Sequence, residues 1–389
     1  MSAVGILPFL LFFACISSSV SQKKGRGFIG VQDPDSNSVY VDDLTASTLK
    51  SSLTTVFLPI IYIFVFVVGL PSNAMAIWVF VFRSKKTHPA SIFMANLALA
   101  DLLFIIWLPL KIVYHINGNN WTFGEEMCKV LVGFFYGNMY SSILFIMCLS
   151  VQRYWVVAHP LTQQRTDNRL AIVLSVSIWA FIWISATPLF LDQQTAYLSG
   201  LNITTCHDVN IIKKESIANG TAFQDVAKPF YYFMVMAGLG FLLPCAVIIT
   251  AYVLMMRKLG RSLMEGSNAG KNRHRAMVLI ITVLVTFLVC FLPSNVMLVV
   301  HYALLSTISA NNGYGFYITS LCLASLNSCL DPFVYYFVSE DFRSHVKNTF
   351  LCRSSRTVER MRVSFSSLKY SKKGSIYTAS TGQTDSSTI

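Results

Sequence analysis

Two carboxylates, Asp101 and Asp331, stand inside otherwise apolar sequence, in the runs NLALAD and CLDPFVYYFV. An ionisable group in such surroundings costs several kcal/mol without a partner, so it marks a site of function by default. Asn327, Asp331 and Tyr335 follow one another at i, i+4 and i+8 and therefore share one helical face. Asn73, in GLPSN, and Ser142 supply two more polar groups from other apolar stretches. Two readings stand side by side. The group is either a hydrogen-bond network joining helices, or a switch core that holds a cation or a proton between neighbouring carboxylates. A sodium ion near Asp101 is the cation such a core would take. The sequence indicates no other cofactor and no metal site.

The elements that position these residues follow from composition. The chain has 389 residues, 54% hydrophobic and only 12% charged. Soluble chains carry about 25% charged residues, so a membrane protein is implied. The 30 Lys+Arg against 18 Asp+Glu give +12, a balance that elsewhere suggests nucleic acid or anionic lipid.

A helical span needs about 20 apolar residues. Five stretches between charges meet that length: Lys50–Arg83, His88–Asn117 (interrupted by Asp101), Lys129–Arg153, Arg169–Asp192 and Lys228–Arg257. The charge-free run Arg275–Asp331 is long enough for two more, divided at the polar break Ser306–Gly313, with the last continuing to Ser339. The expected fold is an all-α membrane protein, a bundle of seven spans. Pro71, Pro109, Pro188, Pro244, Pro293 and Pro332 fall in or near span interiors and permit kinks.

Residues 1–21 read as a secretory signal peptide, whose apolar core Ile6–Ile16 is too short to span. Lys and Arg concentrate in alternate loops, at Arg83, Lys85, Lys86, Arg165 and Arg169 and from Arg257 to Arg275. The positive-inside rule then puts the amino terminus outside and the carboxyl terminus inside. The +12 becomes an orientation signal and a surface for membrane lipids, with no nucleic acid implied. Three glycosylation sequons, at Asn120, Asn202 and Asn219, all fall on the outer face. Cys128 and Cys206 are the pair of cysteines on that oxidising side and are expected to form a disulfide. Cys148, Cys245, Cys290, Cys322 and Cys329 lie within spans as small apolar fillers. Cys352 follows an amphipathic stretch, Glu340–Leu351, where palmitoylation would pin it to the inner leaflet.

Asn73, the NLALAD run, Arg153-Tyr154, Trp179, Pro244, CFLP ending at Pro293 and DPFVY from Asp331, each in its own span, resemble the rhodopsin-type G-protein-coupled receptors. The resemblance covers residues 53–352. Gln152 replaces the usual acidic residue before Arg153, so the restraining ion pair is missing. Ser325 stands where a light-sensing member would need a Lys, which excludes an opsin. CHDV at Cys206–Val209, preceded by NITT, narrows the resemblance to the protease-activated receptors.

That resemblance implies a use for the amino-terminal tail. Arg26 ends QKKGR in a Ser/Asp-rich segment open to a trypsin-like serine protease, whose specificity pocket is acidic. Cleavage at Arg26–Gly27 would free Gly27, Phe28, Ile29, Gly30, Val31 and Gln32 as a tethered agonist, with Gly27 as a new cationic terminus. Gly27 departs from the Ser common at that position. A ligand already joined to its receptor acts at up to about millimolar effective concentration. Its ammonium would meet Asp208, beside His207, while Phe28 and Ile29 enter a mouth lined by Tyr302, Tyr314 and Tyr317. The alternatives are a solvated His207–Asp208 loop pair and an interfacial aromatic belt. Asp33, Asp35, Asp42 and Asp43 read as an acidic linker or a protease exosite.

Inside, Arg153 and Tyr154 would face heterotrimeric G proteins, and the Ser/Thr-rich tail, once phosphorylated, would recruit arrestins. The expected organisation is 1–21 signal peptide, 22–26 propeptide removed on activation, 27–52 extracellular tail with the tethered ligand, 53–339 seven-span domain, 340–352 amphipathic helix with palmitoylation site, and 353–389 disordered cytoplasmic tail. The expected location is the plasma membrane, crossed several times. A receptor for a diffusible peptide is the nearest rival. A nucleotide receptor would want Arg or Lys in the outer halves of spans six and seven, which have none. A transporter or channel would show internal repeats or a continuous charged path, and neither is present. No nucleophile constellation suggests an enzyme.

Overall fold

The structure, a computed structural model, describes residues 27–32, 38–83, 88–158, 168–219, 231–262, 267–306 and 313–350. The signal peptide, Arg26, Asp33, Asp35, Cys352 and the tail 353–389 lie outside them. The chain divides into two units, residues 1–335 and 336–389.

In the first unit, six helices among the described residues are long and apolar enough to cross a membrane: Asp43–Arg83, Pro89–Ile116, Gly124–Ala158, Asn168–Leu191, Tyr231–Leu259 and Ile281–His301. The seventh span misses that length because it is broken: helix Tyr314–Ser325 stops, Leu326 turns, and Asn327–Val338 resumes. Counting both halves, the described residues make seven crossings. Not all of the prolines sit at such irregularities. Pro109 opens the helix Leu108–Ile116 after a two-residue break at Ile106–Trp107, and Pro71, Pro188, Pro293 and Pro332 lie within helices. The third span begins at Gly124, earlier than Lys129, because Glu125 and Glu126 favour a helix amino terminus. Trp179 Nε1 donates to Asn96 Oδ1 at 2.9 Å, tying span four to span two.

Above the bundle lies a five-stranded sheet that composition did not announce. Its strands are β1 (Phe28–Gln32), β2 (Val39–Tyr40), β3 (Thr195–Leu198), β4 (Ile203–Cys206) and β5 (Val209–Lys213), in the order β4-β3-β2-β1-β5. β3 and β4 form an antiparallel hairpin between spans four and five, and Asn202, with φ of 54°, helps turn it. The tail supplies β1 and β2: β1 runs parallel to β5 and antiparallel to β2. A short helix, α1 (Asp43–Lys50), opens the stretch Asp43–Arg83, and the extended backbone of Ser51 sets it apart from the helix that follows. The sheet and bundle share one core, in which Phe28, Val39, Leu49, Leu198 and Val209 pack with Leu58, Tyr62, Phe104 and Tyr314.

In the second unit, helix Glu340–Phe350 occupies the stretch expected to be amphipathic, with Ser339 Oγ accepting from the Phe342 N–H at 3.2 Å.

Candidate functional site

Two sites emerge, one beneath the sheet and one midway through the bundle. The upper site is positioned by the disulfide Cys128–Cys206, whose Cα atoms are 5.7 Å apart, fixing β4 to the outer end of span three. Glu125, one turn nearer the outer surface, clamps the start of β3. Its carboxylate accepts from the Gln194 N–H (2.6 Å), the Thr195 N–H (2.9 Å) and the Thr195 hydroxyl (2.5 Å). Gln194 in turn holds His207, its Oε1 lying 2.5 Å from His207 Nδ1. The backbone of His207 has a positive φ of 66°, which swings Asp208 inward at the start of β5. Bonds to a carboxylate are about twice as strong as neutral ones. Glu125→Gln, which turns an N–H donor toward one of the two backbone N–H groups, is therefore expected to cost about 1.5–3 kcal/mol. A lower melting temperature of the purified receptor, with the disulfide intact, would register it.

Beneath the hairpin lies a cavity of about 60 Å³, large enough for a few water molecules, with Gly27, Asp208, Tyr62, Tyr136, Tyr314 and Tyr317 in its wall. Gly27 joins that wall from just before strand β1. Parallel pairing sets Phe28 beside Val209 and Ile29 beside Asn210, and the Phe28 N–H donates to the Asp208 carbonyl at 2.8 Å. His301 Nε2 lies 2.8 Å from the Gly27 carbonyl oxygen. Phe28 is 0% exposed and meets Tyr314 edge-on with ring centroids 5.0 Å apart. Alternation along a strand sends the next side chain the other way. Ile29 accordingly does not enter the mouth with Phe28, and stays half-buried on the opposite face. A Cβ built at Gly27 would lie 1.6 Å from the Asp208 carbonyl oxygen, so the two backbones approach too closely here for any side chain.

The Asp208 carboxylate accepts from the Tyr114 hydroxyl at 2.5 Å and also interacts with Tyr314. Tyr317 stacks on His301 with ring centroids 5.0 Å apart. The structure thus brings His207, Asp208, Tyr314 and Tyr317 around one cavity. The side chain of Tyr302 lies outside the described residues. Sequence reasoning passed over Tyr62, Lys111, Tyr114, Tyr136 and His301. Of these, Lys111 and His301 carried a signal, each being a polar group at the outer end of an apolar span.

The lower site gathers all the span-buried polar residues singled out above. Asp101 Oδ1 accepts from Asn138 Nδ2 (2.9 Å) and from the Ser328 hydroxyl (2.7 Å). Asn138 Nδ2 reaches Ser142 Oγ at 3.5 Å, and Asn327 Nδ2 donates to Asp331 Oδ2 at 2.8 Å. Asn73 Nδ2 donates to the Ser328 carbonyl at 2.7 Å, joining span one to span seven at its break. Tyr335, fully buried, meets Phe80 edge-on. Asp101 and Asp331 also interact side chain to side chain. Carboxylate, amide and hydroxyl oxygens are the donors a hard cation prefers. Asn138 and Ser328 were missed because a neutral polar residue barely interrupts an apolar run.

At the inner end, Arg153 and Tyr154 are half-buried in the last turns of span three, with Tyr252 of span five near Arg153. Among the described residues no ion pair to Arg153 is found, in keeping with Gln152 before it. Lys258 Nζ caps the end of the same helix by donating to the Ala158 carbonyl at 2.5 Å. Of the sequons, Asn120 Oδ1 accepts from the Thr204 N–H (3.0 Å) and Asn202 Oδ1 from the Tyr197 hydroxyl (2.7 Å), while Asn219 is exposed.

Residues 72–335 match the family described as 7 transmembrane receptor (rhodopsin family). Proteinase-activated receptor 2 of Bos taurus is 56% identical over 340 residues, which is 87% of this chain and 83% of that protein. Proteinase-activated receptor 2 of Homo sapiens is 52% identical over 375 residues, 94% of this chain and 92% of that protein. Proteinase-activated receptor 3 of Homo sapiens is 40% identical over 312 residues, 79% and 78%. The spans, the disulfide and these matches make the chain a multi-pass plasma-membrane receptor and not an enzyme. It belongs to the rhodopsin family of seven-transmembrane receptors and, within that family, to the proteinase-activated receptors.

Proposed function

We propose that a trypsin-like protease activates this receptor by cutting after Arg26, and that Gly27–Gln32 is the agonist, acting without leaving the chain. One observation carries the reading: β1 is inserted between β2 and β5, with Phe28 fully buried against Tyr314 and Gly27 at the cavity that holds Asp208. Adding a strand to a sheet gives a peptide affinity through its backbone and specificity through alternate side chains. Before cleavage the nitrogen of Gly27 is an uncharged amide. Afterwards it is an ammonium, and Asp208 is the nearby charge it can pair with. Gly27 and Phe28 are buried when docked, so a protease gains the Arg26–Gly27 bond with the segment undocked.

Signals then pass to heterotrimeric G proteins at Arg153 and Tyr154, probed best through a Gq-type phosphoinositide and calcium response, and to arrestins at the phosphorylated tail. Asn73, Asp101, Ser142, Asn327, Asp331 and Tyr335 form the switch between the two ends, with a sodium ion near Asp101 as its occupant. Glycans on Asn120, Asn202 and Asn219 and a palmitoyl group on Cys352 complete the surface.

Arg26→Ala tests the reading directly. The variant is expected to give no calcium response to trypsin yet a full response to the synthetic peptide GFIGVQ. A trypsin response equal to that of the unaltered receptor would sink the cleavage site, and a silent peptide at high concentration would sink the agonist.

A further inference from the structure

We infer that Val39–Lys50 is a folded handle that holds the agonist segment over its site, and that Asn119 pins it there. The inference rests on reading Gly27–Gln32 as the agonist. The handle has two parts. Val39 and Tyr40 form β2, which pairs with Gln32 and Val31 of the agonist strand on one side, and Val39 pairs with Leu198 of β3 on the other. Two residues on, Asp42 caps α1 by accepting from the Thr45 N–H at 3.3 Å.

An eight-residue helix such as α1 does not persist alone in water, so something must hold it. Leu49 is buried in the core shared by sheet and bundle. The carbonyls of the last turn, which no helix can satisfy internally, are met from outside. The Leu49 carbonyl accepts from Asn119 Nδ2 at 2.6 Å and from the Thr54 hydroxyl at 2.9 Å. Asn119 also donates to Thr54 Oγ1 at 3.0 Å, and its Oδ1 lies 2.7 Å from Nδ1 of His115. It is buried, belongs to the turn between spans two and three, and adopts a positive φ of 61°. Asn tolerates that backbone conformation better than most residues. A side chain in the left-handed region, 70 residues from the carbonyl it caps, is costly to place and is explained by what it fastens.

The consequence is a shorter tether. With the handle folded, the six residues 33–38 connect β1 to β2. With it released, the connection to the next helical segment becomes the twenty residues 33–52. Effective concentration falls roughly as the −3/2 power of linker length, which makes the loss about sixfold.

Two variants test this in the full-length receptor. Asn119→Gly deletes the amide while keeping the left-handed backbone, and replacing residues 43–50 with eight Gly and Ser residues removes α1 without changing chain length. Each is read as G-protein activation per cleaved receptor, with cleavage counted by loss of an epitope placed before Arg26. A Phe28→Leu background keeps tether occupancy below saturation. The second reading is the half-maximal concentration of free GFIGVQ on the same variants carrying Arg26→Ala. The expected result is a tethered response about sixfold weaker per cleaved receptor, over and above the smaller loss of free-peptide potency that follows from losing β2 as a strand neighbour. An unchanged tethered response overturns the handle. An equal loss for free and tethered peptide overturns it too, since the segment would then build the site and not hold the tether. A free peptide silent even on Arg26→Ala alone overturns the agonist reading beneath both.

Discussion

Phe28→Ala is expected to weaken the agonist by about 100-fold or more, leaving cleavage at Arg26 unchanged. Phe28 is the one side chain of the segment that is entirely removed from solvent, packed in a cluster with Val39, Leu49, Leu58 and Tyr62 and edge-on to Tyr314. Emptying such a site costs about 3–5 kcal/mol in a rigid core. A docked strand relaxes more easily than a core helix, so the lower end applies, and about 3 kcal/mol corresponds to a little over two decades in affinity. The measurement is the dose–response of GFIGVQ against its Phe-to-Ala counterpart on the Arg26→Ala receptor, with epitope loss confirming that trypsin still cuts the Phe28→Ala chain. Ile29→Ala supplies the contrast. Its side chain lies on the outer face of the strand, and its loss should cost about tenfold or less. Equal losses at Phe28 and Ile29 would mean that the segment does not bind as a strand.

The membrane-spanning part of this architecture was legible because lipid writes plainly into sequence: a span must be free of charge, and the exceptions, Asp101 and Asp331, announce themselves. The disulfide was legible for a related reason, since compartment left Cys128 and Cys206 with only each other. The sheet was not. Phe28 and Val209 pair across nearly half of the chain, and β2 is two residues long, too short to show alternation. Only the hairpin β3–β4, with turn residues Ser199, Gly200 and Asn202 between TAYL and ITTC, carried a local signal. The residues that fasten the outer face were hidden for another reason. Glu125 reads as an ordinary solvated helix-start acid, and Asn119 as half of a turn. What each does depends on a backbone group that only the folded outer face brings within reach. The buried polar cluster within the bundle shows both effects at once: its charged members were visible, while Asn138 and Ser328, which hold Asp101, were not.

Asp208→Asn isolates the charge that cleavage is proposed to create. The substitution keeps an oxygen where the Tyr114 hydroxyl donates, so that hydrogen bond and the approach of the Phe28 N–H to the backbone carbonyl both survive. What disappears is the negative charge facing the new terminus of Gly27 across the cavity. A hydrogen bond to a charged partner in such a site contributes about 1.5–3 kcal/mol, and potency for GFIGVQ should fall by roughly 10- to 100-fold. Acetylating the peptide removes the same interaction from the other side. On the unaltered receptor it should cause a loss of similar size. If the ammonium and Asp208 are partners, the two changes do not add, and the acetylated and free peptides become nearly equal on Asp208→Asn. Additive losses would place the ammonium against another group and leave Asp208 to hold Tyr114 and Tyr314 in place. The cycle therefore separates two roles that the geometry joins in one residue. The disulfide at Cys206 and the clamp at Glu125 fix Asp208 in either case, and only the charge distinguishes a receptor that waits for a cut terminus from one that merely accepts a strand.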